Sequence, residues 1–266
     1  MSAEDPASDI LPLIQQHTGL VASVQRTERG FSSDLTAIVE CEKGPYFVKA
    51  VRNRPGGRRD SLVRERVISE FTRSISPAML WEVEADSWLV LGYEAVEGRR
   101  ANLKPDSSDL PTVVDLVGRI GELALPDVAA EWAETRWNRF AADPSEAELF
   151  RGHSLLHTDI NPSNFMIGKR SWVVDWAWPT RGAGFIDPAI LVVQLIASGH
   201  SPEEAEAWVA DGRVWREASP LAIDAFTAAQ VRMHRRLVER NPDESWLKAM
   251  LVACQDFADH RGVTVS

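Results

Sequence analysis

Cysteine is scarce in this 266-residue chain, which holds only Cys41 and Cys254. Two cysteines supply no disulfide framework and no thiolate metal cluster, and they fit a reducing compartment. A basic excess is missing too. Lys and Arg total 29 against 39 Asp and Glu, a formal net charge of -10, which argues against a protein that coats nucleic acid through phosphate contacts. Long apolar runs are absent: the longest, Ala189 to Ala197, is broken by Gln194 and falls far short of the roughly 18 residues of a membrane span. The start, MSAEDPASDI, has neither the basic segment nor the apolar stretch of a secretory leader, so none is expected. No internal repeat or low-complexity stretch occurs. These exclusions leave a cytoplasmic protein with no membrane or nucleic-acid partner. Its 44% hydrophobic and 26% charged residues are those of an ordinary globular chain, long enough for one or two domains.

The first 95 residues read mainly as short strands. Val21–Arg26, Leu35–Glu40 and Tyr46–Val51 are rich in β-branched and aromatic residues, and Glu42-Lys43-Gly44-Pro45 joins the last two as a hairpin connection. Ser61–Ser74 spaces Leu62, Val63, Val67, Ile68 and Phe71 as a helix with Asp60 as its N-cap. Two more strands, Ala78–Val83 and Ser87–Tyr93, flank an Ala85-Asp86 turn. The pattern is a small antiparallel sheet with one helix on it. From Gly98 onward helices dominate: Asp109–Leu125 has a broad apolar face, and Ala129 to Phe140 continues in helical composition. Ser201-Pro202-Glu203-Glu204 is a capping-box start, Ser219-Pro220 opens a helix over Leu221–Glu239, and a last helix covers Asp243 to Asp259. Asn164–Ile167 and Trp172–Asp175 read as a small hairpin.

The segment His157-Thr158-Asp159-Ile160-Asn161-Pro162-Ser163-Asn164, followed by Trp172-Val173-Val174-Asp175, holds the residues best suited to chemistry. An Asp, an Asn five residues on and a second Asp beyond a short strand pair suit phosphoryl transfer. The first carboxylate can orient and deprotonate a hydroxyl, while hard oxygen ligands from Asn164 and Asp175 can hold Mg²⁺ against nucleotide phosphates. A competing reading makes His153, His157, Asp159 and Asp175 the ligands of a metal-dependent hydrolase, which leaves Lys49, Glu65 and Asn164 without a role.

The order of these residues resembles the catalytic loop and metal-binding aspartate of the aminoglycoside phosphotransferase family, relatives of choline kinases and protein kinases. The family pattern H-x-D-x-x-x-x-N, then I-D-W, then G-x-x-x-D-P is met by His157, Asp159 and Asn164, by Val174-Asp175-Trp176, and by Gly184-Phe185-Ile186-Asp187-Pro188. Phe47-Val48-Lys49-Ala50 resembles the strand whose Lys binds nucleotide phosphates, and Arg64-Glu65 the helix whose Glu pairs with it. Trp88-Leu89-Val90-Leu91-Gly92-Tyr93-Glu94 resembles the strand and hinge on which the base docks, with Gly92, Tyr93 and Ala95 nearest it. The resemblance covers about residues 20 to 200. It implies Asp159 as catalytic base or hydroxyl-orienting group, Asn164 and Asp175 as Mg²⁺ ligands, Lys49 on the phosphates and Glu65 holding Lys49. His157 and Asp187 would be structural.

Two positions depart from the pattern. Thr158 stands where many members have Gly, and the phosphate turn Gly30-Phe31-Ser32-Ser33-Asp34 has one glycine, leaving backbone N–H groups and the Ser32 and Ser33 hydroxyls to cap phosphate oxygens. No Asp-Phe-Gly or Ala-Pro-Glu is present, and Asp175 to Asp187 is too short for a protein-kinase activation segment. A small-molecule acceptor is therefore expected rather than a protein.

The fold implied is α+β, protein-kinase-like and two-lobed, with a β-rich lobe over 1–94 that binds nucleotide and a helical lobe over 95–266 that holds the catalytic loop and acceptor site. ATP or GTP with Mg²⁺ would give its γ-phosphoryl group to a hydroxyl of an antibiotic or related natural product. The acid excess in 95–150 and 188–266 suits a cationic acceptor. A metabolic amino-alcohol or sugar kinase and a nucleotide-binding pseudokinase are the alternatives of the same fold. Arg52, Arg54, Arg58 and Arg59 read as a solvated loop, and Trp176 and Trp178 as either acceptor-side walls or packing.

Overall fold

The computed structural model describes residues 6–27 and 33–265. It divides into two compact units, one of residues 1–98 with 172–178, the other of residues 99–171 with 179–266. The short segment around Asp175 thus belongs to the first unit, although it lies far beyond residue 94 in the chain.

In the first unit, α1 (Pro6–Thr18) precedes strands β1 (Val21–Arg26), β2 (Leu35–Cys41) and β3 (Tyr46–Arg52), then α2 (Gly57–Ile68), β4 (Met79–Glu84) and β5 (Trp88–Glu94). The five strands form one antiparallel sheet in the order β1-β2-β3-β5-β4. Side chains alternate across it. Val48, Ala50, Trp88 and Val90 turn to the face covered by Ile10 and Ile14 of α1, whereas Val51, Leu89, Leu91 and Tyr93 meet Leu62 of α2 on the other. Period-two alternation along β3 therefore sends Lys49 to the α2 face.

The sheet follows the sequence expectation, but the unit has two helices rather than one. The helix missed, α1, buries Ala7, Ile10 and Ile14 at helical spacing while holding Pro12 in its interior, where a proline removes one backbone hydrogen bond. The second correction concerns α2, which starts at Gly57 and stops at Ile68 instead of covering Ser61–Ser74. Gly56 is its N-cap, with a φ of 149° that glycine alone adopts readily. Asp60 is then not the cap; its carboxylate sits in the first turn, on the favourable end of the helix dipole. Arg58 pairs with Asp34, and Arg59 bonds Asn53 at 2.6 Å and Glu84 at 3.0 Å. Arg52 lies 4.1 Å from the Trp88 ring centre and 3.0 Å from Asp9. Those arginines are partnered, not merely solvated.

The second unit begins with β6 (Arg99–Arg100), α3 (Leu110–Ile120), α4 (Pro144–Glu148), β7 (Ser154–Leu156) and β8 (Phe165–Ile167). After β9 (Trp172–Val173), which belongs to the first unit, come β10 (Thr180–Gly182), α5 (Ile186–Ala197), α6 (Pro202–Ala210), α7 (Arg213–Arg216), α8 (Pro220–Arg240) and α9 (Ser245–His260). The apolar run that is too short for a membrane is α5, buried along nearly all its length. Its neighbour Phe185 joins Trp137 and Phe150 around Phe226, ring centres 4.9 to 5.9 Å apart. The Ser201–Glu204 capping box forms at 3.2 and 3.1 Å. Ala129 to Phe140, by contrast, forms no α-helix, only short 3-10 turns at its two ends, Asp127–Ala129 and Asn138–Phe140. Its backbone is diverted to β10: Glu134 N donates to Arg181 O at 2.8 Å, and Arg181 N to Trp132 O at 2.7 Å. The buried Glu134 carboxylate accepts from Arg136 at 2.7 Å and from Thr180 at 2.8 Å, which locks that path. Among the described residues no helix is long and apolar enough to cross a membrane.

Candidate functional site

Each unit gathers one group of the residues singled out by the sequence. In the first, Lys49 is only 6% exposed, and its Nζ donates to Glu65 Oε1 at 2.7 Å, to Glu65 Oε2 at 2.9 Å and to Asp175 Oδ1 at 2.9 Å. Residues from β3, α2 and the 172–178 segment thus meet on one buried ammonium. Burial alone would lower the Lys49 pKa, but Glu65 and Asp175 outweigh it and push it up. Lys49 is therefore a cation in the folded protein. Burial pushes the Glu65 carboxyl up, against the pull of Lys49. Tyr93 is buried beside this group, and burial together with the Glu65 charge holds its phenol well above the usual range.

Asp175 reaches this place in a left-handed backbone, φ 65°, which costs an L-residue about 1 kcal/mol. Its neighbours are fastened. Val173 N donates to Ile75 O at 2.8 Å, and the buried Trp176 Nε1 donates to Ser76 Oγ at 2.8 Å. Trp176 is accordingly a packing residue. Trp178 is 41% exposed, with the Arg64 guanidinium 5.1 Å from its ring centre.

Gly92 and Tyr93 face opposite sides of β5. A Cβ on Gly92 would stand 2.1 Å from Trp81 Cε2, so the bare backbone there makes room for a Trp81 that stacks on His17 at 5.1 Å. Ala95 follows β5 and is half-buried. Ser32 lies outside the described residues. Ser33 is half-buried just before Asp34, whose N donates to Ala50 O at 2.9 Å and whose Oδ2 accepts from Arg52 N at 2.8 Å.

The second unit holds the loop from His157 to Asn164. Its anchor is Asp187, 1% exposed, in the first turn of α5. Asp187 Oδ2 accepts from His157 N and Oδ1 from Thr158 N, both at 2.8 Å. Burial raises the Asp187 carboxyl, against these backbone bonds and the nearby His157. Thr158 takes φ 65° and donates its hydroxyl to His157 O at 2.6 Å. Asp159 N in turn donates to His157 Nδ1 at 3.3 Å.

Asp159 is exposed, yet its carboxylate is held at both oxygens. Asn161 Nδ2 donates to Oδ1 at 2.9 Å, and Asn164 Nδ2 to Oδ2 at 3.0 Å and to the Asp159 carbonyl at 2.8 Å. With its amide nitrogen turned to Asp159, Asn164 has its carbonyl oxygen as the side-chain atom for a hard cation. Asn161 is the residue sequence reasoning missed. Its signal is Asn161-Pro162: the side chain caps the short turn after it, accepting from Ser163 N at 2.9 Å. The competing hydrolase reading finds no such support, because among the described residues no three His, Cys, Asp or Glu gather as a metal site. His157 instead spends Nδ1 within the loop.

No family model matches the chain, and no curated protein does by sequence. Solved structures match in fold. Choline kinase LicA from Streptococcus pneumoniae superposes with a TM-score of 0.64 at 13% identity, over 95% of this chain and 99% of that one. Macrolide 2'-phosphotransferase MphH from Brachybacterium faecium gives 0.56 at 14%, over 93% and 98%. A thermostable variant of aminoglycoside phosphotransferase APH(4)-Ia, solved with AMP-PNP and hygromycin B, gives 0.59 at 13%, over 97% and 100%. The chain has the protein-kinase-like fold, α+β and two-lobed, shared by these small-molecule phosphotransferases.

Proposed function

We propose that the protein is a small-molecule O-phosphotransferase that moves the γ-phosphoryl group of ATP or GTP to a hydroxyl of an antibiotic or related natural product. The observation that carries this reading is the buried Lys49, fixed between Glu65 and Asp175. A lysine held as a cation between a strand and a helix suits phosphate oxygens, and Asp175 beside it suits the metal that accompanies them. In this reading Tyr93, Gly92 and Ala95 flank the base, and Ser33 with Ser32 caps phosphate.

Asp175 and Asn164 would hold Mg²⁺, which neutralises phosphate charge when bound; a carboxylate and an amide carbonyl are the hard oxygen donors it takes. Glu65 keeps Lys49 extended. Asp159, with both oxygens steadied by amides, orients the acceptor hydroxyl and takes its proton. The acceptor oxygen then bonds to the γ-phosphorus as the bond to the β-bridging oxygen breaks, and the nucleoside diphosphate leaves. Such a loose transfer asks mainly for positioning. An amino-alcohol acceptor is the second reading, favoured by the choline kinase match.

Thermal unfolding with Mg²⁺-ATP and Mg²⁺-GTP tests the proposal, because a ligand of the native state raises the transition temperature. A magnesium-dependent rise is expected, lost in Asp175→Ala. Asp159→Ala should retain the rise but lose turnover with hydroxylated acceptors. Folded protein that shifts with neither nucleotide, or Asp159→Ala that still turns over, overturns the assignment.

A further inference from the structure

We propose that Arg64 and Trp178 form a clasp that keeps the Asp175 segment seated on α2, making Trp178 a positioning residue for the nucleotide site; the inference rests on the function proposed above. Asp175 sits in a left-handed backbone, a conformation that persists only where its surroundings hold it. Three anchors lie at or beside it: Val173 N on Ile75 O, the Asp175 carboxylate on Lys49, and Trp176 on Ser76. Two residues beyond Trp176, the Trp178 ring meets α2 itself, where Arg64 places its guanidinium over it.

Arg64 adjoins Glu65 in sequence, so the helix that presents the carboxylate to Lys49 also presents the cation to Trp178. The two contacts differ in what a nucleotide does to them. Phosphate oxygens and a metal compete directly for Lys49 and Asp175, and their mutual bond of 2.9 Å is exchanged when both turn to the ligand. The clasp is a separate contact, a guanidinium on a ring face, and that contact is not exchanged for the ligand. With the Val173 and Trp176 anchors, it therefore helps to hold Asp175 against α2 in the loaded protein, when the ion pair no longer does. A wall for the acceptor is a different role, and it would leave nucleotide affinity unchanged on substitution.

The test is a double-mutant cycle on the full chain, with the dissociation constant of the Mg²⁺-nucleotide read by calorimetry and the unfolding temperature of the ligand-free protein read beside it. Trp178→Leu keeps apolar bulk but removes the π face, and Arg64→Gln removes the charge. Each is expected to weaken nucleotide binding about three- to tenfold, the pair together no more than the worse single change, and Trp178→Tyr to recover most of the loss. The ligand-free unfolding temperature should move little, because the Lys49–Asp175 bond still closes the segment there. Unchanged affinity, additive losses, or a Leu variant equal to the Tyr variant overturns the clasp while leaving the function standing. A wild-type protein that binds neither nucleotide overturns both.

Discussion

The two units hold their candidate residues by different physics. In the first, a buried ammonium is shared by two carboxylates from distant parts of the chain; in the second, the loop that presents Asp159 is tied by neutral donors, two backbone N–H groups on Asp187 and two side-chain amides on Asp159. The ionic cluster is strong only while it is complete, since a lone buried charge is costly. Its members are also the groups a phosphate and a cation would compete for, so it is built to exchange partners. The loop is built to stay still. A carboxylate whose oxygens and backbone are each pinned loses little freedom when it meets a hydroxyl.

The largest effect expected from breaking this contrast is at Lys49. Lys49→Met leaves Glu65 buried without its cation, and such a change costs about 3–5 kcal/mol of stability at neutral pH. The loss has a pH signature. Burial already raises the Glu65 carboxyl, and removing Lys49 raises it further, so the folded variant binds that proton more tightly than the unfolded chain. Stability is then greatest below the ordinary glutamate range and falls as pH rises through the folded value. Urea denaturation of Lys49→Met at pH 5 and pH 8 should show the larger deficit at pH 8. An equal deficit at both would mean that Glu65 is not the group left exposed to the loss.

A smaller effect is expected in the loop. Asp187→Asn offers one oxygen where two backbone N–H groups each have their own, and turns an amide donor toward one of them. A buried donor left unmet costs about 1–3 kcal/mol, and unlike the Lys49 change it leaves no charge behind. Burial raises the Asp187 carboxyl, so the parent loses stability as pH rises through that group and the amide does not; the denaturation deficit of Asp187→Asn should therefore be no larger at pH 8 than at pH 5, the opposite trend to Lys49→Met. A loss at Asp187 as large as that at Lys49 would erase the distinction between the two units.

The α+β class and the sheet were legible because the signals are local: β-branched runs with turns between them, and capping residues at Ser201 and Glu204. Polar residues in a fixed order gave the candidate site, since order along the chain survives when overall similarity does not. What stayed hidden was set by tertiary contacts. The stretch through Glu134 has helical composition, but its backbone bonds go to β10 and its carboxylate to Arg136 and Thr180. Pro12 masked α1, whose stability comes from burying Ile10 and Ile14 rather than from propensity. The left-handed backbones at Thr158 and Asp175 are imposed by anchors far away in sequence, Asp187 for one and α2 with its following turn for the other.

Thr158 provides the finest test of that last point. A β-branched residue at φ 65° is held against its preference, at a cost of about 1–2 kcal/mol, and glycine would release the strain. Against that, glycine gives the unfolded chain about 0.5–1 kcal/mol more conformational freedom, and the Thr158 hydroxyl bond to His157 O, about 1 kcal/mol net, is lost. The terms nearly cancel, so Thr158→Gly should stay within about 1 kcal/mol of the parent in stability and retain turnover. Thr158→Ala loses the hydroxyl and keeps the strain, and should be the less stable of the two. The order of their denaturation midpoints reads the backbone directly: Ala above Gly would mean that the loop does not hold a left-handed residue at this position.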